Sequence, residues 1–382
     1  MTARPLPRSL SVELRLQLTG LDVRTQFRVL PGRTCALVGH EAAGLSEVLQ
    51  AAAGLIPARG GRIALGNEVI YDSAAKVNWP AHKRHLAWLS AQSPLLPHLS
   101  VKGNLTYRHR DASRTPRTDV HDLARWLDIA HVLDHRPTQL THAQRFRVAL
   151  GRALLSAPHA LLLDDPLAAL PAAERAPLLS VLADVPRRCQ LPTVLVSTRM
   201  DEVIAMADDM VVIHEGRTAS AGAVPQILSD VSFGTFLDGE QAGSVLEGEV
   251  KRHDIDWLLS EIDVCGQRVT VPATLFPVGS KVRLKLRARD LSLHKEMPAD
   301  TSSSNHLRGV VTQVMLAGDH GSYGAVVVAL DHALDFSGDS SRPPVHLWAM
   351  LTRKAIQQMG WAPGHPCVVG FKAMATQVTG WH

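Results

Sequence analysis

The sequence predicts an α/β domain built on a largely parallel sheet, followed by an all-β region. Three observations carry this reading. Over about the first 230 residues, short apolar runs bounded by Gly alternate with helical patterns, and strand–loop–helix in repetition argues for a parallel sheet. After about residue 240 helical periodicity fades, and β-branched runs separated by Gly and Pro take over. The β part also repeats itself weakly. Gly248 begins one unit and Gly309 the next, and PVGSKVRLKLRA (277–288) matches APGHPCVVGFKA (362–373).

Each element follows from its own stretch. TCALV (34–38) is a buried-strand run, and SEVLQAAAGL after it is a helix. ALLLDD (160–165) and TVLVST (193–198) are further strands, MDEVIAMADD is a helix, and VVIHEGR is strand and turn. In the second part SVLEGEV, RVTVPATL, KVRLKLRARDLSL, GVVTQV, GAVVVAL, VHLWAML and CVVGFKAMATQV are strand material. MPADTSSSNHL between the two β units is polar and reads as a linker that turns into the second. The expected divisions are 1–238, 239–300 and 301–382. The repeat puts Arg287 and Lys372 in equivalent slots, each followed by Ala.

Composition narrows the function. A net charge of +4, dispersed along the chain, gives no basic stripe for nucleic acid. The cysteines Cys35, Cys189, Cys265 and Cys367 lie far apart in apolar contexts and read as reduced core residues. The histidines are scattered, and neither HDHRP nor HKRH has metal-ligand spacing with a partner cluster. The start lacks a signal-peptide pattern and no apolar run is long enough to span a bilayer, so the chain is expected in the cytoplasm.

VGHEAAGLSEVLQAAAGL (38–55) meets the phosphate-loop pattern G-x-x-x-x-G-K-[ST] at Gly39, Gly44 and Ser46, but Leu45 stands where Lys belongs. Such a loop works because backbone N–H groups and a helix N-terminus face the phosphates, while Lys adds charge and Ser/Thr holds Mg²⁺. Glu41 adds a negative charge inside it. Taken alone, the stretch is equally an ordinary strand–turn–helix.

Later features decide between these. QLTHAQRFRVALGRALLSAPHALLLDDPLAAL (139–170) resembles the signature and Walker B block of ABC-transporter ATPases, without a gap from Leu140 to Pro166. VSTRMDEVIAMADDMVVIHEGR resembles their switch-histidine block, and LLPHLSVKGNL (95–105) the segment after the Q-loop in the molybdate-importer branch. RARDLSL, TSSSNHLRGVV and the closing FKA resemble the molybdate-binding OB-like (Mop/TOBE) domains of that branch. The resemblance covers nearly the whole chain. It implies an ABC-type P-loop NTPase domain followed by two OB-like units, with ATP and Mg²⁺ as ligands. It also implies a homodimer, a transmembrane permease partner, and a peripheral position at the inner face of the cell membrane.

Against that family the chain departs at six elements. The Walker A Lys is Leu45, and the Q-loop Gln position falls on Ala91, with Gln92 one place late. The signature Ser-Gly-Gly is Thr141-His142-Ala143, followed by a matching Gln144. Its glycines let the backbone approach a partner's γ-phosphate, and side chains there crowd the approach. The Walker B Asp is kept as Asp164, but the catalytic Glu is Asp165, the D-loop Asp is Pro171 and the switch His is Thr198. Loss of one stabilising group in such a site costs on the order of 10²–10³ in rate. The expectation is a pseudo-ATPase that keeps Ser46 and Asp164 for Mg²⁺; the alternative is a weakly active energy-coupling subunit.

The β region implies a second chemistry. A molybdate or tungstate dianion needs N–H groups, hydroxyls and one or two cations. By resemblance these are Ser302, Ser303, Ser304 and Asn305 on one side and Lys372 on the other, with Ser304 where the family more often has Arg. Without the resemblance, TSSSN is a polar linker and Lys372 an ordinary strand-end lysine.

Overall fold

The computed structural model describes residues 8–40, 42–107, 119–231, 242–316, 322–331 and 345–381. Glu41 lies outside them. Two compact units divide at Gly222/Ala223, ahead of the boundary expected at 238, which falls outside the described residues.

The first unit opens on the hairpin β1 (Leu10–Leu18) and β2 (Leu21–Val29). Next come β3 (Thr34–Gly39), α1 (Leu45–Ala53), β4 (Gly60–Leu65), β5 (Glu68–Asp72), β6 (Val77–Asn78) and β7 (Leu86–Ser90). The helices α2 (Val101–Thr106), α3 (Val120–Trp126) and α4 (His142–Leu155) lead to β8 (Ala160–Asp164) and α5 (Ala172–Cys189). The unit closes with β9 (Thr193–Val196), α6 (Met200–Met206), β10 (Asp209–His214) and β11 (Arg217–Ala223).

One sheet of 11 strands, ordered β6-β5-β4-β1-β2-β11-β10-β3-β9-β8-β7, joins them. From β10 to β7 the neighbours run parallel, as the sequence predicts. The strands from β6 to β2 pair antiparallel, which the expectation of a largely parallel sheet did not include. LSVELRLQL alternates apolar and polar residues, with Leu10, Val12, Leu14 and Leu16 buried and Glu13, Arg15 and Gln17 exposed. One buried and one wet face is the antiparallel pattern. β8 is buried along its whole length, as suits a central parallel strand. Two apolar clusters form the core. One contains Leu37, Val48, Leu49 and Leu162; the other contains Val148, Leu161, Leu163 and Leu195.

The second unit begins with α7 (Val224–Leu228). Then come β12 (Gly243–Asp254), β13 (Leu259–Val264), β14 (Gln267–Pro272), β15 (Lys281–Arg287), β16 (Ser292–His294), β17 (Asn305–Leu316) and β18 (Tyr323–Leu330). β19 (His346–Thr352), α8 (Arg353–Met359), β20 (Pro366–Phe371) and β21 (Thr376–Gly380) end it. They form two five-stranded antiparallel sheets, β14-β13-β12-β15-β21 and β16-β20-β17-β18-β19. Among the described residues, no helix is long and apolar enough to cross a membrane.

The repeat is visible in the backbone. β12 bulges between Val250 and Arg252, and β17 between Val311 and Gln313, at the same offsets from Gly248 and Gly309. Each bulge is clamped alike. Gly279 N–H donates to Val250 O at 2.8 Å, and Gly364 N–H donates to Val311 O at 2.8 Å. Both glycines have φ near +89°, a conformation that side chains disfavour. The units nevertheless exchange strands across the boundary expected at 300. β16 pairs with β20 in the second sheet, and β21 pairs with β15 in the first.

Candidate functional site

At the carboxyl end of β3 the chain turns through Gly44 into α1. Gly44 sits at φ 76°, and a Cβ there would stand 2.7 Å from Leu18 Cδ1. At Gly39 a Cβ would lie 2.4 Å from Ile213 O on the neighbouring strand. Both glycines are therefore required by packing, and the α1 N-terminus carries no side-chain cap. Leu45 is 9% exposed and belongs to the apolar cluster of Val23, Ala43, Val48 and Leu49.

Ser46 comes against β8. Its hydroxyl donates to Asp164 Oδ1 at 2.6 Å. Burial raises the Asp164 pKa, partly offset by that bond, and Glu47 raises it further. A hydroxyl beside a carboxylate suits Mg²⁺, which takes oxygen ligands and keeps several waters. Ser46 and Asp164 are the residues that would hold the metal, and Leu45 supplies no cation for phosphates.

Asp165 follows at φ 42°, outside the strand that the sequence extends to it. Its N–H donates to Val196 O at 2.8 Å, fixing it beside β9. Thr198 Oγ1 lies 3.4 Å from Asp165 Oδ2, so the structure brings these two predicted positions together. Asp165 Oδ1 is buried without a partner. Burial raises the Asp165 pKa, and the Thr198 bond lowers it in part.

The sequence reading missed what stands behind this pair. Glu202 on α6 is 2% exposed, accepts from Ser197 Oγ at 2.8 Å, and has Arg199 Nε 3.5 Å away. Burial raises its pKa, offset in part by the Ser197 bond. The signal available was a carboxylate inside the apolar run of MDEVIAM.

Thr141 caps α4. Its Oγ1 accepts from Gln144 N–H at 3.2 Å, and Gln144 Oε1 accepts from Thr141 N–H at 3.0 Å. This reciprocal pair is a capping box, so Gln144 has a structural use. His142 is exposed, and Ala143 N–H donates to Glu174 Oε2 at 3.3 Å. Ala91 and Gln92 form a turn just past β7, whose last residue, Ser90, pairs with Asp164. They share a cleft of about 460 Å³ with Pro137, His142, Arg145 and Phe146. Pro171 precedes α5 as its N-cap.

In the second unit Asn305 is 1% exposed. Its Oδ1 accepts from Thr270 N–H at 2.7 Å, and its Nδ2 donates to Thr270 O at 2.8 Å. Both ends of that amide are thus bonded to β14, and its place among the oxyanion ligands stays a proposal. Asn305 pairs with Phe371 across β17 and β20. Ser304 and Lys372 are the next residues outside that pairing, and both are exposed. Ser302 is exposed, and Ser303 N–H donates to Thr301 Oγ1 at 3.1 Å. Arg287 and Lys372 occupy matching places, each the residue before a short 3₁₀ turn at φ −80° and −78°.

A parallel strand, glycine turn and helix set against a strand-end aspartate, with a second capped helix nearby, define an ABC-type P-loop domain. The ABC transporter family profile matches residues 24–168. The fold agrees with cbiO1 from Clostridium perfringens, part of the ABC transporter complex cbiONQ (TM-score 0.50, 21% identity, 58% of this chain and 91% of that one). It also agrees with an ATP-binding cassette of an ABC transporter in its ADP conformation (TM-score 0.51, 19% identity, 60% of this chain and 98% of that one). Over its full length the chain resembles curated proteins. It is 34% identical to the molybdenum import ATP-binding protein ModC of Rhodospirillum rubrum, over 96% of both chains. It is also 34% identical to that of Methylococcus capsulatus, over 91% of this chain and 93% of the other. The chain belongs to the ModC family of ABC-transporter ATP-binding subunits, with two OB-like sheets following the ATPase domain.

Proposed function

We propose that this chain is the ATP-binding-type subunit of a molybdate importer whose own phosphoryl-transfer site is impaired, and that it works mainly by binding oxyanion and partners. The observation that carries the impairment is the Asp165–Thr198 pair at 3.4 Å. Where the family's mechanism needs a water-positioning carboxylate and a γ-phosphate-sensing imidazole, the chain offers a shortened acid tied to a hydroxyl. Bound Mg²⁺ would neutralise phosphate charge beside Ser46 and Asp164. Leu45, packed in the core, adds no cation there.

The relatives' name, molybdenum import ATP-binding protein, favours a second reading, a working but slow energy-coupling subunit. Phosphate release decides between them. The impaired reading expects release close to the no-enzyme background, alone or with a permease. Mg²⁺-dependent turnover near 1 s⁻¹, the low end of the usual range of roughly 1–10³ s⁻¹, that vanishes in Asp164→Ala establishes the second. In the β region, Lys372 with the Ser302–Ser304 hydroxyls and backbone is the proposed oxyanion arm, for molybdate or tungstate. A homodimer, a permease partner and a cytoplasmic place at the membrane's inner face complete the proposal.

A further inference from the structure

We propose that Glu174 is a built-in anion at the signature helix that keeps a partner copy's nucleotide out of the composite site. The inference rests on the family reading that α4 of one copy meets the nucleotide of the other. The free N–H groups of a helix N-terminus attract anions. In α4 the Gln144 N–H is taken by Thr141 Oγ1, and the Arg145 N–H by Thr141 O at 3.0 Å. The Ala143 N–H is taken by the Glu174 carboxylate at 3.3 Å. That carboxylate comes from the first turn of α5, where Glu174 N–H donates to Pro171 O at 3.0 Å. The acid thus stands at two helix N-termini together, that of α4 and that of α5. A terminal phosphate arriving at Ala143 meets an amide already bonded and a like charge within a few ångströms. His142 and Ala143 add side chains on the same approach. The signature is therefore closed by charge as well as by bulk.

The test separates charge from hydrogen bonding. Glu174→Gln keeps an acceptor and removes the charge; Glu174→Leu removes both. Leu45→Lys supplies a background with a restored phosphate-loop cation. ATP–Mg²⁺ affinity is measured below the dimerisation concentration, and ATP-dependent dimerisation by sedimentation velocity. Leu45→Lys/Glu174→Gln is expected to dimerise at ATP concentrations at least about tenfold lower than Leu45→Lys alone. A double variant that binds ATP yet dimerises no more readily overturns the proposal. If Leu45→Lys binds no ATP, the reading of the phosphate loop fails, and amide exchange decides the role of Glu174 separately. Glu174→Leu should speed exchange at Ala143 several-fold, and added inorganic phosphate should slow it again only in that variant. Unchanged exchange, or no response to phosphate, overturns the proposal.

Discussion

Asp165 carries three burdens in one residue: a φ of 42°, a buried oxygen without a partner, and a pKa raised by burial. Left-handed backbone is disfavoured for most side chains and tolerated best by Gly, Asn and Asp. A carboxyl whose folded pKa stands above its ordinary 3.8 supports the fold fully below about that pH. That support is lost as pH rises through the folded value. Asp165→Asn cannot ionise, suits the same backbone and can still accept from Thr198. It should raise the melting temperature at pH 7, with the gain shrinking toward pH 4. Calorimetric scans across that range check it; an equal gain at both ends would mean that charge burial is not the cause. Asp165 and Thr198 were individually legible from the family order of motifs. Their contact was not, because it needs β8 and β9 to end in register. Glu174 gave no local signal at all. Its role depends on two helix starts, at Thr141 and Pro171, meeting in space.

At the scale of elements, the segment from Ser302 to Asn305 divides between two uses. Asn305 lies inside β17 and ties it to β14 through both ends of its amide. Removing it leaves the part-buried N–H and C=O of Thr270 without these partners, which costs about 1–3 kcal/mol. Lys372 lies exposed beyond the end of β20, so its loss leaves the fold intact. Asn305→Ala should lower unfolding stability by that amount. Lys372→Ala should leave stability within about 0.5 kcal/mol and weaken molybdate binding by about 1.5–3 kcal/mol, the range for hydrogen bonds to charged groups. Denaturant unfolding and calorimetric titration of the full chain read the two effects separately. Unchanged molybdate affinity in Lys372→Ala would remove that residue from the site. The repeat was readable because Gly248 and Gly309 must be glycine. A Cβ on either would come within 2.6 Å of a carbonyl oxygen on the neighbouring strand. The antiparallel arm is legible in the alternation of β1, which contains no continuous apolar run of the kind that marks the parallel strands. β16, of three residues, is too short for periodicity to register.

At the scale of the whole molecule, strand exchange decides which pieces can fold. A cut at residue 300 leaves β16 on the first piece, although its hydrogen bonds go to β20, and β21 on the second, although its bonds go to β15. Each piece then loses an edge strand and exposes an unpaired neighbour, the condition that favours aggregation. The apolar cluster is shared as well. Leu246, Val282 and Leu284 from the first sheet join Leu307, Val326 and Val369 from the second. A fragment of residues 223–382 keeps every one of these pairings, and α7 packed on β12. It should fold alone and unfold in a single transition. A fragment of residues 301–382 should not form a stable native state, although it holds most of the second repeat. Circular dichroism melts coincident with tryptophan fluorescence test this, since Trp348 and Trp361 sit in the second repeat and Trp257 in the first. Two separate transitions in 223–382, or cooperative folding of 301–382, would show that the exchanged strands are dispensable and that the repeats are independent domains.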